Sequence, residues 1–516
     1  MATARTSAHD RPEPGAPTVV IGGGPAGLTC AWRLKRAGRP VLLLEAGATP
    51  GGNVRTLDAD GYRIEHGPHS FMGSATLIME LVEELGLEAL LRPTLPQADA
   101  RYIVRAGRAH RAPDGLRSFL TSGLLSPAAK LRLASEPLRR PGGTQDDTAR
   151  DFFRRRFGRE GADILAWAFI NGVYAGDPAE LSAPAAFPLF WEFERQAGSM
   201  LRGGLRRARA RRHTAAPARK PSKGLYSFEG GLGTLTRALA RGLGTSYRGS
   251  SPVLALERSS VGFQLRTETE LISAAHVVLA TPPAAAARLL TPCDRILAGH
   301  LAAIPLAPVA VVHAGFRRHL ERLPNAFGFL AAADQGTESL GILFPSRLFP
   351  DRLPDRAAGH QHSGDQGPAE GKRKHRAAAP AGDLLCAFFG GRRRPELLDL
   401  DDRALGELMV RDLRQLYGVQ EQPTFLRVLR HRQAIPQLVV GHLARRRQIE
   451  QRLALGNRGP GRLALAGNYL TGVGLKDAVQ SGAAAADHLL ETTSGPDLGP
   501  GAVPAPPSTP VLEVAP

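Results

Sequence analysis

Six residues, Gly22-Gly23-Gly24-Pro25-Ala26-Gly27, have the spacing G-x-G-x-x-G. They follow the β-branched run TVVIG at 18–22 and open a helical pattern over 25–37. The chemistry this permits is the holding of a dinucleotide. Gly22 allows the tight turn, Gly24 lets the backbone approach a pyrophosphate, and Gly27 lets helix and strand pack closely. Pro25 and Ala26 start a helix whose unpaired N–H groups and positive dipole end favour phosphate. Glu45 follows Gly27 by 18 residues, at the end of a second buried run, VLLLE at 41–45, where a carboxylate can accept both hydrogen bonds of an adenosine ribose. A second glycine pair at 51–56 (GGNVRT) and the stretch IEHGPHSF at 64–71 follow directly. NAD has no need of such a pair, whereas the longer ribityl chain and ring of a flavin demand further close backbone contact. FAD is therefore the expected dinucleotide; a polar turn between strands is the plain alternative.

These residues need a βαβ unit to position them, and residues 18–45 read as one. Strand and helix patterns recur at 227–244, 253–257, 262–267 and 276–280, and again at 463–466 and 476–490. One α/β domain is thus expected to be assembled from distant segments of the chain. The Pro-rich stretch 491–516 and the lead-in at 1–16 are too poor in bulky apolar residues to pack a core. Residues 354–382 hold no aromatic residue, Val or Ile, and read as an inserted surface loop. The basic stretch 202–223 reads as a similar interruption of a helical region.

Composition narrows the classes further. Among 516 residues, 43% are hydrophobic and 22% charged, and no apolar run approaches the roughly 18 residues of a spanning helix. No apolar signal segment opens the chain, so a cytoplasmic location is expected. Cys30, Cys293 and Cys386 are scattered and suggest neither disulfides nor a zinc motif. Sixty-six Lys and Arg against 48 Asp and Glu give a net charge of +18, much of it in runs at 202–223, 372–376, 392–394 and 445–447. None carries the interleaved aromatics that stack nucleic-acid bases, so no nucleic-acid partner is expected. A basic protein that keeps only a nucleotide fold and binds nucleic acid or anionic lipid is the competing class, recognised by absent flavin colour and steeply salt-dependent DNA binding.

Beyond these motifs the chain resembles the GG-type flavoproteins and, among them, the protoporphyrinogen oxidase family. The resemblance runs from about Thr18 to about Leu490. It rests on EHGPHSF at 65–71, VYAGDPAELS at 173–182, SFEGGLGTL at 227–235, LATPP at 279–283, IPQLVVGH at 435–442 and AGNYLTGVGLKDAVQSG at 466–482. It implies an α/β fold with a discontinuous Rossmann-like FAD-binding domain (15–90, 224–297 and 455–491), a helical lobe (91–223) and a mixed-sheet substrate domain (298–454). Disordered tails are expected at 1–14 and 492–516. The resemblance also implies that Gly22, Gly24, Pro25, Ala26, Gly27 and Glu45 hold the FAD nucleotide half. Gly52, Gly67, Pro68 and Ser70 would line the flavin. Val253 would sit in the strand that meets the adenine, and Val473, Gly474 and Leu475 would lead a helix facing the pyrimidine end. Asn53 stands where many relatives carry Arg, and Arg55 is the expected substitute.

For the substrate, the resemblance implies a porphyrinogen, a flexible apolar macrocycle with propionate arms. Arg101 would meet a propionate, Phe329, Leu340 and Ile342 would line the cavity, and Asn171 and Gly172 would approach the reacting face. Each of these is equally at home as surface charge or core. The implied reaction moves hydride from methylene bridges to the flavin, with dioxygen as final acceptor and no dedicated acid or base. Protoporphyrinogen IX is the expected substrate; coproporphyrinogen III and the amines of related flavin oxidases are the alternatives. Apolar and Arg-rich stretches over 126–203 fit peripheral attachment to the inner face of a cell membrane and fit an ordinary exposed lobe as well. A homodimer is the oligomeric state kept open.

Overall fold

The computed structural model describes residues 16–213, 224–332, 334–353 and 382–491. Both expected tails, nearly all of the expected insertion, and the end of the basic stretch at 214–223 lie outside them.

The first sheet is parallel and five-stranded, in the spatial order Tyr247–Arg248, Val41–Leu44, Thr18–Ile21, His276–Leu279 and Arg462–Leu465. Its three inner strands are continuous apolar runs because both faces are covered. Val20, Leu43 and Val278 pack under the helices Pro25–Arg36, Gly233–Leu243 and Leu475–Glu491. Val19, Ile21, Leu42 and Leu279 alternate to the other face, against the antiparallel strands Ala255–Ser259, Gly262–Arg266 and Leu271–Ala274 and the helices beyond them. The sheet draws on chain segments more than 400 residues apart, consistent with the strand patterns at both ends of the sequence.

The second sheet has seven strands, ordered Phe425–Pro436, Leu306–Phe316, Asp383–Gly390, Gly341–Leu343, Gly328–Ala331, Arg101–Arg105 and Arg108–Arg111. One face is sealed by the helix Asp402–Tyr417, capped by the Asp401 side chain, which accepts from Ala404 N–H at 2.7 Å. Leu405, Met409 and Leu413 of that helix join Val104, Phe329, Ile342 and Phe389 in one buried cluster. The opposite face is turned toward the loop around Glu65–Phe71.

Two expectations change. Residues 91–111 do not open a helical lobe: Leu91–Pro93 pairs with Leu225–Phe228, and Arg101–Arg111 supplies the last two strands of the large sheet. Helices take over only from Leu116. In the described part of the basic stretch, Met200–His213 is one continuous helix on which Arg202, Arg206 and Arg209 are exposed, so the interruption does not begin at Arg202.

Candidate flavin site

The strand Thr18–Ile21 ends in a turn that only glycine can make. Gly22 has φ +111°, and a Cβ there would stand 2.6 Å from the Ala280 carbonyl oxygen. At Gly27 a Cβ would run into the Gly22 carbonyl, so the helix Pro25–Arg36 can start hard against its strand only with glycine there. Gly24 differs from both. It is the N-cap of that helix, no side chain caps its amides, no acid lies in the first turn, and a Cβ would meet nothing within 4 Å. Gly52, at φ +56°, faces it with its Cβ position 3.4 Å from the Gly24 Cα. The outcome is an open, glycine-walled cradle at a bare helix N-terminus, suited to a pyrophosphate.

Glu45 sits beside this cradle. Its carboxylate accepts from Gly23 N–H at 2.5 Å and from Gly47 N–H at 2.8 Å, which fixes it at the end of the second strand where a ribose would arrive. Thr281, from the LATPP string, carries a buried hydroxyl without a protein partner, and its methyl group lies 3.3 Å from the Cβ position of Gly22. Sequence reading gave Thr281 no role; the string containing it was the available signal. Val253 is half-buried against the far cluster of the first sheet.

The loop carrying Gly67, Pro68 and Ser70 is anchored from below. Glu65 is buried and accepts from the Thr56 hydroxyl at 2.7 Å, Leu232 N–H at 2.9 Å and Arg352 Nη2 at 3.2 Å. Burial pushes its carboxyl up to about 7, against the opposing pull of Arg352. A Cβ at Gly67 would stand 2.6 Å from the Asn53 carbonyl oxygen, so the loop can lie on the second glycine pair only with glycine there. Asn53 thus contributes its backbone. Arg55 donates Nη2 to His66 Nε2 at 2.9 Å, an assignment to the neighbouring imidazole that the sequence did not suggest.

His66 also receives His431: the His431 ring donates Nε2–H to the His66 carbonyl at 2.8 Å. Burial, then the Arg55 cation and the rings of His431 and His313, pull His66 from 6.5 down to about 4. The unfolded chain therefore takes up this proton near pH 6.5 while the folded chain refuses it until about 4. The stability this group contributes is present above 6.5 and lost as pH falls through that window. Thermal unfolding followed by flavin release should drop several degrees between pH 6.5 and 4, and His66→Gln should flatten that slope (about 4–8 °C per kcal/mol for a small domain, less for a larger one).

At the far end, the helix Leu475–Glu491 crosses Pro25–Arg36 so closely that a Cβ at Gly482 would strike the Ala26 carbonyl. Its N-terminus is not bare. Asp477 Oδ2 accepts from Val473 N–H at 3.0 Å and Gly474 N–H at 2.8 Å. These two amides are satisfied internally, so Val473 and Gly474 lead this helix with their N–H groups already spent on Asp477.

On the large sheet, strand register decides which residues can face the site. Phe329 and Ile342 are 1% and 0% exposed and point into the cluster under the helix Asp402–Tyr417. That overturns their expected cavity role: with side chains alternating along a strand, their neighbours Leu330 and Leu343 take the inner face. Register lines up Ile103, Leu330, Gly341, Phe388, Val311 and Leu429 in one row across that face. Leu340 packs with this inner set. Gly172 is exposed, and a Cβ there would press on the Leu330 side chain, whereas Asn171 is buried and spends its amide on the Ala331 carbonyl at 2.8 Å. Arg101 lies in the adjoining row, beside Gly328, with its guanidinium 5.4 Å from the Phe327 ring centroid.

With this geometry in place, the comparisons fit closely. Residues 25–490 match the model of the flavin containing amine oxidoreductases, and the chain belongs to that family. Within it, the relatives include many protoporphyrinogen oxidases. Protoporphyrinogen oxidase 1 of Spinacia oleracea is 31% identical over 92% of this chain and 84% of its own length. The protoporphyrinogen oxidase of Bos taurus is 30% identical over 93% and 99%. Coproporphyrinogen III oxidase of Bacillus subtilis is 28% identical over 92% and 97%. Cyclohexylamine oxidase from Brevibacterium oxydans shares the fold, with a TM-score of 0.62 at 19% identity over 93% of this chain and all of its own. The protein is an FAD-dependent oxidoreductase. The open face of Gly24, the bare first turn and the unpartnered Thr281 hydroxyl leave room and donors that fit an FAD pyrophosphate.

Proposed function

We propose that the chain oxidises protoporphyrinogen IX to protoporphyrin IX with dioxygen as the final acceptor. The observation that carries this reading is a cross-strand apolar row with Arg101 beside it, on the sheet face turned toward the glycine-lined loop. That is the surface an apolar macrocycle with carboxylate arms needs. FAD supplies a two-electron acceptor when bound. The chain's own part is to orient and to desolvate. Leu330, Leu343 and Leu340 lay the macrocycle flat, Arg101 fixes one propionate, and exposed Gly172 keeps the approach to the reacting face free of a side chain. Methylene C–H cleavage is assisted by the electron-rich pyrroles, whose N–H proton leaves to solvent, so the site needs no dedicated base. Each two-electron step forms one molecule of hydrogen peroxide from dioxygen. Anaerobic mixing with protoporphyrinogen IX should bleach the flavin absorbance, and air should restore it with porphyrin fluorescence. A flavin that stays yellow would refute the reading.

The Bacillus relative supports coproporphyrinogen III as a second substrate, with four propionates in place of two. Parallel assays with both porphyrinogens, read by product fluorescence, separate the two by kcat/KM.

A peripheral site on anionic membranes belongs to the same proposal. No helix among the described residues is long and apolar enough to cross a bilayer. Six of the ten exposed large apolar residues among the described residues nevertheless fall within 116–205: Leu116, Leu120, Leu131, Leu138, Leu201 and Leu205. Leu138 and Leu116 are 80% and 76% exposed, with Arg117, Arg139, Arg140, Arg202 and Arg206 exposed among them. Leucines that enter the headgroup layer beside arginines that meet acidic headgroups form a monotopic contact. The protein should float with phosphatidylserine vesicles, and replacing Leu116, Leu120, Leu131 and Leu138 by Glu should abolish flotation while leaving flavin content intact. Absence of flotation in low salt would end the idea.

A further inference from the structure

Three groups that the oxidation does not use meet beneath the loop Glu65–Phe71. His69, His313 and Cys386 are all buried, and their donor atoms lie within 4.8 Å of one another. They come from three distant parts of the chain: the loop, the strand Leu306–Phe316 and the strand Asp383–Gly390, where register sets His313 directly opposite Cys386.

Their hydrogen bonding is unusual for buried polar groups, which are nearly always paired. His313 Nε2 stands 2.9 Å from the Glu65 carbonyl oxygen. A carbonyl only accepts, so Nε2 carries the proton and Nδ1 presents a bare lone pair. That Nδ1 is buried without a partner, as is His69 Nε2. An imidazole whose far nitrogen is fixed by a backbone carbonyl is the arrangement that orients histidine ligands at metal centres. Burial lowers both imidazoles below their ordinary range and raises the Cys386 thiol.

We propose that His69, His313 and Cys386 form a three-coordinate site for a soft monovalent cation, Cu(I). Two imidazoles and one thiolate suit a thiophilic metal. Charge selects the monovalent ion: Cu(I) and one thiolate sum to zero, whereas a divalent ion would leave a net charge in a dry enclosure. Binding forms a Cu–S bond and two Cu–N bonds and releases the Cys386 proton to solvent, with no change in oxidation state. Donors around an ion at about 2.0–2.3 Å stand roughly 3.5 Å apart, so side-chain rotation of about 1 Å closes the site.

The test uses the yellow holoenzyme, titrated anaerobically with Cu(I) against a chromophoric Cu(I) chelator. The wild type should retain one copper per chain, and X-ray absorption at the copper edge should show one sulfur and two nitrogen neighbours. Cys386→Ser and His313→Gln should each lose the metal at least about tenfold more readily, with flavin content unchanged. If a variant does not fold, the wild type alone decides, since Cu(I) should raise its Tm and protect Cys386 from alkylation during partial unfolding. Copper retained equally by wild type and Cys386→Ser, a copper spectrum without sulfur, retention of zinc in preference to copper, or no bound copper at all would overturn the proposal.

Discussion

Gly24→Val is expected to give a folded, colourless protein. The Cβ position of Gly24 meets no protein atom within 4 Å, so the valine costs the fold little. Its side chain instead fills the cradle in front of the uncapped first turn, where the pyrophosphate would lie. FAD affinity should fall at least about a hundredfold, close to 3 kcal/mol. The flavin-to-protein absorbance ratio and FAD binding to the apoprotein measure this, and far-UV circular dichroism should still show a cooperative transition. Gly27→Val provides the contrast. Its Cβ would enter the Gly22 carbonyl, so that variant should fail to fold. A yellow Gly24→Val protein would remove the cofactor assignment from this turn.

Arg101→Leu should weaken porphyrinogen use while the flavin stays in place. Strand pairing puts Arg101 beside Gly328, itself opposite Leu343, on the face away from the helix Asp402–Tyr417. Its guanidinium rests against the Phe327 ring, and among the described residues no carboxylate pairs with it. A hydrogen bond to a charged group contributes about 1.5–3 kcal/mol, so kcat/KM should fall about 10- to 100-fold. Ground-state and transition-state binding lose the same contact, which places the change in KM and not in kcat. Arg101→Lys should recover part of it, since charge is kept and the planar fork is lost. An unchanged KM would assign Arg101 to the surface.

Much of the first strand–turn–helix unit was legible in the sequence because its determinants are local. A strand, a glycine turn and a helix start lie within twenty residues, and Gly22 and Gly27 answer to a backbone conformation and a close approach within that turn. Gly22, Gly27 and Glu45 sit where the spacing put them. The quoted strings carried further, since they joined segments from both ends of the chain into one sheet.

The large sheet was another matter. FGFL and LGILF were recognisable as strands, yet their apolar residues occupy both faces, and nothing in the run says which face a helix will cover. The helix Asp402–Tyr417, some 60 residues further on, takes Phe329 and Ile342 and leaves Leu330 and Leu343 inward. The Asp477 carboxylate occupies the amides of Val473 and Gly474, a contact with no spacing signal. His69, His313 and Cys386 carried no spacing signal at all. Sequence alone determined the glycine turn and the strands that frame it, because short-range backbone sterics and burial write themselves into adjacent residues. The tertiary structure decided the inward faces, the satisfied amides and the buried donor cluster, because those follow from which distant surfaces close against one another.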